Sequence, residues 1–208
     1  MEKMPENTGE FKIKNKPFYD LVKRCFDIGS SFCALIVFAL PMLFIAYLIK
    51  KDSRGPAIYT QERLGKDGKP FMLYKFRSMG LDAEKEGPCW AVDDDPRVTS
   101  IGKKLRAMRL DELPQLWNIF KGDMSVVGPR PERACFYNEF EKEIPDFRVR
   151  LKVMPGLTGW AQINGGYALN PAQKLIKDKA YMRNRCLLLD ISIIFRTIKI
   201  VFTHEGAY

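Results

Sequence analysis

Two adjacent carboxylates, Asp111 and Glu112, follow closely after the arginines Arg106 and Arg109. If a helix begins near Asp111, Pro114 falls in its first turn, where a missing N–H costs little. The carboxylates would then lie at the positive end of the helix dipole, which favours their ionised form. An ionised carboxylate can act as a nucleophile or bind Mg²⁺, and arginines neutralise phosphate oxygens. By spacing alone, the simpler interpretation is structural: Asp111 would cap a helix, and Glu112 would be a surface residue paired with arginines.

Several kinds of catalytic site are disfavoured by the composition. The only histidine, His204, lies four residues from the C-terminus, which argues against a Ser-His-Asp triad and against a His-based metal site. The sequence has no P-loop and no G-x-G-x-x-G after a strand. Its net charge of +9 suits anionic lipid headgroups, nucleic acid or a phosphorylated substrate. Catalysis would therefore rest on carboxylates, arginines and lysines, with a metal if one binds.

The elements that must position these residues can be predicted from periodicity. Alternating side chains predict two strands around a Gly-containing turn, over residues 57–63 and 70–78. Helical patterns follow, and they predict helices over residues 101–110, 114–120, 171–184 and 187–202. The Gly/Pro-rich segments 122–133 and 154–166 predict loops with fixed turns, and the acidic segment 83–97 predicts a surface loop.

The apolar run over residues 28–49 carries no charge and has basic residues on both sides. A helix of this length spans about 33 Å, close to the ~30 Å hydrocarbon thickness of a bilayer. Because Lys- and Arg-rich flanks stay in the cytoplasm, both ends favour the same side, and Pro41 favours a bend. We therefore favour a re-entrant helix-hairpin over a straight span or a buried helix of a soluble protein.

These patterns predict an α+β fold with three parts. A flexible basic arm covers residues 1–17, and the re-entrant membrane helix-hairpin covers residues 18–51. A small, mostly helical cytosolic catalytic domain with a short β-hairpin covers residues 52–208.

Six short motifs occur in chain order, each of them weak by itself. They are RGP at 54–56, QERxG at 61–65, KFRSM at 75–79, LDELPQL at 110–116, GDMSxVGPRP at 122–131 and PGLTGWAQxNG at 155–165. In this combination they are specific, and over residues 18–202 the chain resembles the bacterial sugar transferases, a family of monotopic polyprenyl-phosphate phosphoglycosyl transferases.

The resemblance implies transfer of a sugar-1-phosphate from a nucleotide sugar, by family habit a UDP-sugar, to undecaprenyl phosphate. It also implies Mg²⁺, a covalent phosphosugar-aspartate intermediate, release of UMP, and a role in the first membrane step of glycan assembly. The catalytic domain would lie on the cytoplasmic face of the bacterial inner membrane, in contact with lipid and with no nucleic acid partner. The sugar, the pathway and a homo-oligomeric state stay open.

The resemblance also assigns roles by position. Asp111 would be the nucleophile, Glu112 its neighbour in binding the metal, and Arg106 a ligand of substrate phosphate. The remaining substrate-binding residues would be Lys75 and Arg77 in the anionic site, Pro129, Arg130 and Pro131 in the nucleotide pocket, and Gln162.

One position departs from the family pattern. Many relatives have Arg directly after the Asn-Gly pair, where this chain has Gly166. The role of that arginine would be absent or assumed by another cation, for which Lys174 and Lys177 are the nearby candidates. Asp178 and Asp190 match acidic positions of the family for which a structural role is favoured.

Two other classes of function remain open on the sequence. A membrane-tethered nucleic-acid-binding protein would use the positive charge on phosphates and aromatic side chains on an exposed basic sheet, but the aromatic residues here lie in apolar patterns. A membrane scaffold without activity would tolerate the loss of both Asp111 and Glu112.

Overall fold

The computed structural model describes residues 11–85, 87 and 95–203. The chain begins with two helices, α1 (Pro17–Val37) and α2 (Ala39–Asp52), whose axes are bent by 61°. Because Pro41 has no N–H to donate to the carbonyl of Val37, α1 ends at that residue. The bend predicted from Pro41 is thus confirmed. Among the described helices none is by itself long and apolar enough to cross a membrane, but this bent pair satisfies that test by length and composition.

Many large apolar side chains of α1 and α2 are exposed rather than packed in a core. They include Phe18, Leu21, Phe32, Ile36, Leu40, Leu43, Phe44 and Tyr47. The polar side of α1 faces the rest of the chain, and Asp27 and Ser31 are buried there. The bent pair therefore presents an apolar surface outward and a polar surface to the domain.

The predicted β-hairpin is confirmed. Strands β1 (Ile58–Leu64) and β2 (Pro70–Phe76) pair antiparallel, with Thr60 opposite Tyr74. A short 3₁₀ turn, Lys66–Gly68, connects them. Leu73 is buried in one apolar cluster with Leu116 and Ile119, so the hairpin packs on the helix that follows the candidate site.

The rest of the described chain is mostly helical. Its helices are α3 (Ser100–Ala107), α4 (Gln115–Lys121), α5 (Ala134–Glu143), α6 (Trp160–Ile163), α7 (Pro171–Asn184) and α8 (Leu187–Thr203). Three more 3₁₀ segments are Leu110–Glu112, Phe147–Lys152 and Gly166–Ala168. The four predicted helices are confirmed to within a few residues, whereas α5 and the short α6, which lies inside the predicted loop 154–166, were not predicted. Most of the predicted loop 83–97 lies outside the described residues.

Two short strands replace predicted loops. Strand β3 (Ser125–Val127) pairs in parallel with β4 (Gly156–Thr158). Three residues are too few for an alternating pattern to be recognised, which is why the sequence predicted only turns there. A Cβ on Gly156 would lie 2.0 Å from the backbone nitrogen of Gly128, so this close approach requires glycine.

The largest apolar cluster lies behind this parallel pair and includes Tyr137, Phe147, Met182 and Ile193. Phe11, the first described residue, is also buried in it. Residues 11–16 have no regular secondary structure, yet this part of the predicted arm packs against the domain.

Candidate active site

Asp111 and Glu112 lie on the 3₁₀ turn Leu110–Glu112, between α3 and α4. Arg109 precedes the turn in a left-handed conformation, with φ of 54°, which is uncommon for a residue other than glycine. This conformation reverses the chain after α3, so α4 begins only at Gln115. The helix expected to begin near Asp111 therefore begins a turn later, and the carboxylates precede it.

Glu112 is bound by two cations. Arg130 donates to both of its oxygens, with Nη1 3.3 Å from Oε2, and Lys75 Nζ lies 3.3 Å from Oε1. Burial raises the pKa of Glu112, but Arg130, Lys75 and Arg109 outweigh it and hold the pKa well below its usual range. Glu112 is therefore ionised, and it is buried rather than the surface residue of the simpler interpretation.

Asp111 has a different environment. It is buried, with 7% of its surface exposed, and within the described chain no group hydrogen-bonds to its carboxylate. Burial raises the pKa of Asp111; Lys75, Arg106 and Arg130 oppose the rise, and Glu112 adds to it. The helix-dipole argument predicted a lowered pKa and an ionised Asp111. This prediction is wrong, because burial raises the pKa by more than the nearby cations lower it. Its oxygens are available to a substrate or a cation.

The remaining predicted cations divide into two groups. Arg106 Nε donates to Ser78 Oγ at 3.0 Å, and its charge acts on Asp111. Lys75 also lies at the carboxylates. Arg77 is instead buried, and it donates to the carbonyls of Ser53 and Arg54 at 2.9 and 2.6 Å. The structure brings Arg106 and Lys75 to the carboxylates and places Arg77 at the link between α2 and β1.

The two prolines of the PRP segment hold Arg130 in place. The carbonyl of Pro129 accepts from the N–H of Gly156 at 2.9 Å, and the carbonyl of Pro131 accepts from Arg63 at 3.3 Å. Both prolines are buried. Arg130 is thus fixed between the parallel pair and β1, with its guanidinium on Glu112.

Gln162 lies apart from Glu112, in a cavity of about 40 Å³ that is also lined by Arg109, Arg130, Arg150 and Lys174. Gly166, the position at which many relatives have Arg, lines the same cavity. Of the two lysines suggested as replacements for that arginine, Lys174 lines this cavity and Lys177 does not. Arg150 was missed by sequence reasoning. It belongs to no recognised motif, and only its burial in the fold reveals it.

The site can also be tested for the implied Mg²⁺. Among the described residues no group of three or more His, Cys, Asp or Glu side chains could hold a metal. Mg²⁺ is commonly held by one or two carboxylates together with substrate phosphates. Asp111 and Glu112 fit that donor set, and the oxygens of Glu112 are already bound by Arg130 and Lys75, whereas within the described residues those of Asp111 accept no hydrogen bond.

Comparison with known proteins gives one family. The model of the bacterial sugar transferases matches residues 18–204. A UDP-N-acetylgalactosamine-undecaprenyl-phosphate N-acetylgalactosaminephosphotransferase of Aeromonas hydrophila is 45% identical over 194 residues, which is 92% of this chain and 46% of that protein. A putative undecaprenyl-phosphate N-acetylgalactosaminyl 1-phosphate transferase of Bacillus subtilis is 56% identical over 134 residues, 64% of this chain and 74% of that protein.

A third relative, a UDP-glucose:undecaprenyl-phosphate glucose-1-phosphate transferase of Escherichia coli, is 38% identical over 205 residues. The match covers 92% of this chain and 44% of that protein. The chain therefore spans less than half the length of two of these three relatives.

Proposed function

The chain belongs to the bacterial sugar transferase family, and from this we propose that it transfers a sugar-1-phosphate from a UDP-sugar to undecaprenyl phosphate. The observation that supports this most is the pairing of two unlike carboxylates. Glu112 is bound by Arg130 and Lys75, whereas Asp111 is buried with no hydrogen bond from the described residues. The names of the three relatives, each of them an undecaprenyl-phosphate sugar phosphotransferase, agree with this reaction.

In the first step an oxygen of the Asp111 carboxylate attacks the phosphorus that carries the sugar. The bond from this phosphorus to the bridging oxygen breaks, and UMP leaves with that oxygen. In the second step an oxygen of undecaprenyl phosphate attacks the same phosphorus. The bond to Asp111 breaks, the carboxylate is restored, and the product is undecaprenyl-diphosphate-sugar.

The cations around Asp111 make this attack feasible. Phosphoryl transfer depends mostly on alignment and charge neutralisation, and Lys75 and Arg106 both act electrostatically on Asp111. Arg106 binds Ser78 through Nε, so the outer nitrogens of its guanidinium can face phosphate oxygens. When bound by Asp111 and Glu112, Mg²⁺ would supply further positive charge to the diphosphate. Arg130 keeps Glu112 ionised beside the nucleophile.

The membrane element is part of the proposal. We infer that α1 and α2 enter and leave the cytoplasmic leaflet as a re-entrant hairpin, because of their 61° bend, their exposed apolar side chains and their basic flanks. Single cysteines at Lys16 and Lys51, in a background without the native cysteines, should then be labelled only from the cytoplasmic side. Periplasmic labelling at Lys16 would indicate a straight span.

A panel of UDP-sugars tests the reaction. With undecaprenyl phosphate present, one or more of them should give UMP and a lipid-linked sugar. Without lipid, the enzyme should release up to one equivalent of UMP, because the phosphosugar stays on Asp111. If UMP appears only after both substrates have bound, the covalent route is wrong and direct transfer replaces it.

A further inference from the structure

A second cavity, of about 650 Å³, lies between residues 11–15 and α1 and takes no part in the two steps described above. We call it the arm cavity. Asp111, Glu112 and the cations that act on them are not among its lining residues. Its volume is typical of sites for small ligands, about 300–1,000 Å³, and part of its wall consists of the buried side chains of Phe11, Met124, Val153 and Tyr181. The arm cavity is therefore large enough for a ligand that has both charge and apolar surface.

The charge of the arm cavity stays positive after its ion pairs are subtracted. Seven of its lining residues are lysine or arginine, and two are acidic. Three of the cations are offset by a carboxylate: Arg185 by Asp20, Lys23 by Asp190, and Arg24 by Asp27. Four positive charges therefore remain around the cavity.

These four charges belong to exposed lysines, Lys12, Lys14, Lys66 and Lys152. Within the described residues none of them forms an ion pair, and Lys152 Nζ donates to the carbonyl of Phe11 at 3.3 Å. Like charges around one concave space attract an anion. The buried Nε of Arg185 also has no acceptor among the described residues. A phosphate would supply both the negative charge and the acceptor oxygens.

Helix geometry places this cavity at the level of lipid headgroups. Lys23 and Arg24, which line it, precede the end of α1 at Val37 by about 20 Å, at ~1.5 Å per residue. The hydrocarbon of one leaflet is about 15 Å thick, and the headgroup layer extends about 5–7 Å beyond it. With the bend between α1 and α2 at the bilayer centre, the cations on α1 therefore lie among the headgroups.

We propose that the arm cavity binds the headgroup of an acidic phospholipid of the cytoplasmic leaflet, with the four unpaired lysines around its phosphate. The proposal rests on the proposed function, because it uses the re-entrant placement of α1 and α2. Residues 11–15 form one wall of the cavity, and Lys16 Nζ donates to the carbonyl of Arg185 at 2.7 Å. A bound headgroup would therefore hold the N-terminal arm against the domain and fix the start of α1 at the membrane surface.

Native mass spectrometry of the full chain tests this by counting the lipids retained after release from nanodiscs of phosphatidylcholine and phosphatidylglycerol. The cavity variant is Lys14→Gln/Lys66→Gln, because neither side chain forms a hydrogen bond or an ion pair with another described residue. The matched control is Lys50→Gln/Lys51→Gln. It removes the same charge from exposed lysines outside the cavity, at the end of α2 and about 20 Å from the bend. Thermal melting verifies that each variant is folded, and hydrogen exchange of residues 11–16 is a second readout.

We expect the cavity variant to retain phosphatidylglycerol at least tenfold less well, at about fivefold for each lysine lost near an anionic headgroup. The control should retain as much as the wild type. Exchange at residues 11–16 of the wild type should be slower with phosphatidylglycerol than with phosphatidylcholine alone. No loss in the folded cavity variant overturns the proposal, and so does an equal loss in the control, which would reflect general attraction to an anionic surface. Displacement of the lipid by glycerol phosphate would assign the cavity to a soluble phosphate and also overturn it.

Failure of this proposal can be told apart from failure of the proposed function, because lipid retention is measured without turnover. If no UDP-sugar is turned over, or if cysteine labelling shows a straight span, while retention still depends on Lys14 and Lys66, the lipid site stands and the proposed function fails. If UDP-sugars are turned over but retention does not depend on these lysines, the reverse holds.

Discussion

Two carboxylate–arginine pairs in this domain have the same chemistry and different surroundings. Asp178 and Arg150 are joined at 2.7 Å with side chains only 1% and 2% exposed, and Phe147 stacks against the guanidinium. Glu112 and Arg130 lie at the site, with side chains 10% and 24% exposed. Burial raises the pKa of Asp178 despite Arg150, whereas several cations lower that of Glu112. The Asp178–Arg150 pair lies in the core, whereas the Glu112–Arg130 pair adjoins a second carboxylate, Asp111, and belongs to the proposed active site.

The largest expected effect is that of Asp111→Asn, because an amide cannot replace the attacking carboxylate. Turnover should fall by about a thousandfold or more, and labelling of the protein by a radioactive UDP-sugar should disappear. Melting should stay near the wild-type value, since within the described residues no hydrogen bond to Asp111 is lost. A labelled Asp111→Asn protein would show that another residue accepts the phosphosugar.

Asp178→Asn should affect stability instead. Removing one partner of a buried ion pair leaves an uncompensated charge, which typically costs about 3–5 kcal/mol. Chemical denaturation should show this loss in the free energy of unfolding, whereas Glu112→Gln should cost less, because Glu112 is more exposed and its charge repels Asp111. Equal losses in the two variants would remove the distinction between the pairs.

Arg106→Lys and Arg77→Lys test which arginine contacts substrate. A guanidinium can bind two phosphate oxygens where an ammonium binds as a point charge, so we expect Arg106→Lys to lower kcat/KM about tenfold to a hundredfold. Arg77→Lys should lower the melting temperature and leave the activity of the folded fraction nearly unchanged, because Arg77 binds backbone carbonyls. Near-normal turnover of Arg106→Lys would exclude bidentate phosphate binding at this position.

The smallest expected effect is a shift in pH dependence. In the proposed mechanism Asp111 attacks only when ionised, and burial and the charge of Glu112 raise its pKa. Activity should therefore rise with pH through the pKa of Asp111, and this acid limb should lie above the usual range for an aspartate. In Glu112→Gln the like charge is gone, so the limb of the residual activity should move to lower pH. If the acid side of the pH–activity profile is at the same pH in Glu112→Gln as in the wild type, a group other than Asp111 controls it.

How far the sequence predicts this structure depends on how local each signal is. The β-hairpin, α7 and the bend at Pro41 could be predicted because periodicity and proline chemistry act within a few residues. The β3–β4 pair could not, because Ser125 meets Gly156 only through the long-range fold. The motif singles out Asp111 and Glu112, and both are buried on the same turn. Arg77 binds the carbonyls of Ser53 and Arg54, and Arg150 binds Asp178. These partners are distant in sequence, so no local sequence pattern predicts the contacts.

The contacts of α1 with the domain have a consequence for where the reaction takes place. Arg24 donates to the carbonyls of Ile119 and Phe120 at the end of α4, and Asp27 accepts from the N–H of Val126 at 3.0 Å. Helix α1, which carries part of the exposed apolar surface, is thus held by hydrogen bonds to α4, the helix that follows Asp111. One residue inserted into α1 beyond these anchors would turn α2 by about 100°. With α1 and α2 in the membrane as proposed, the distance of Asp111 from the bilayer is therefore set by the number of helical turns of α1 beyond these contacts.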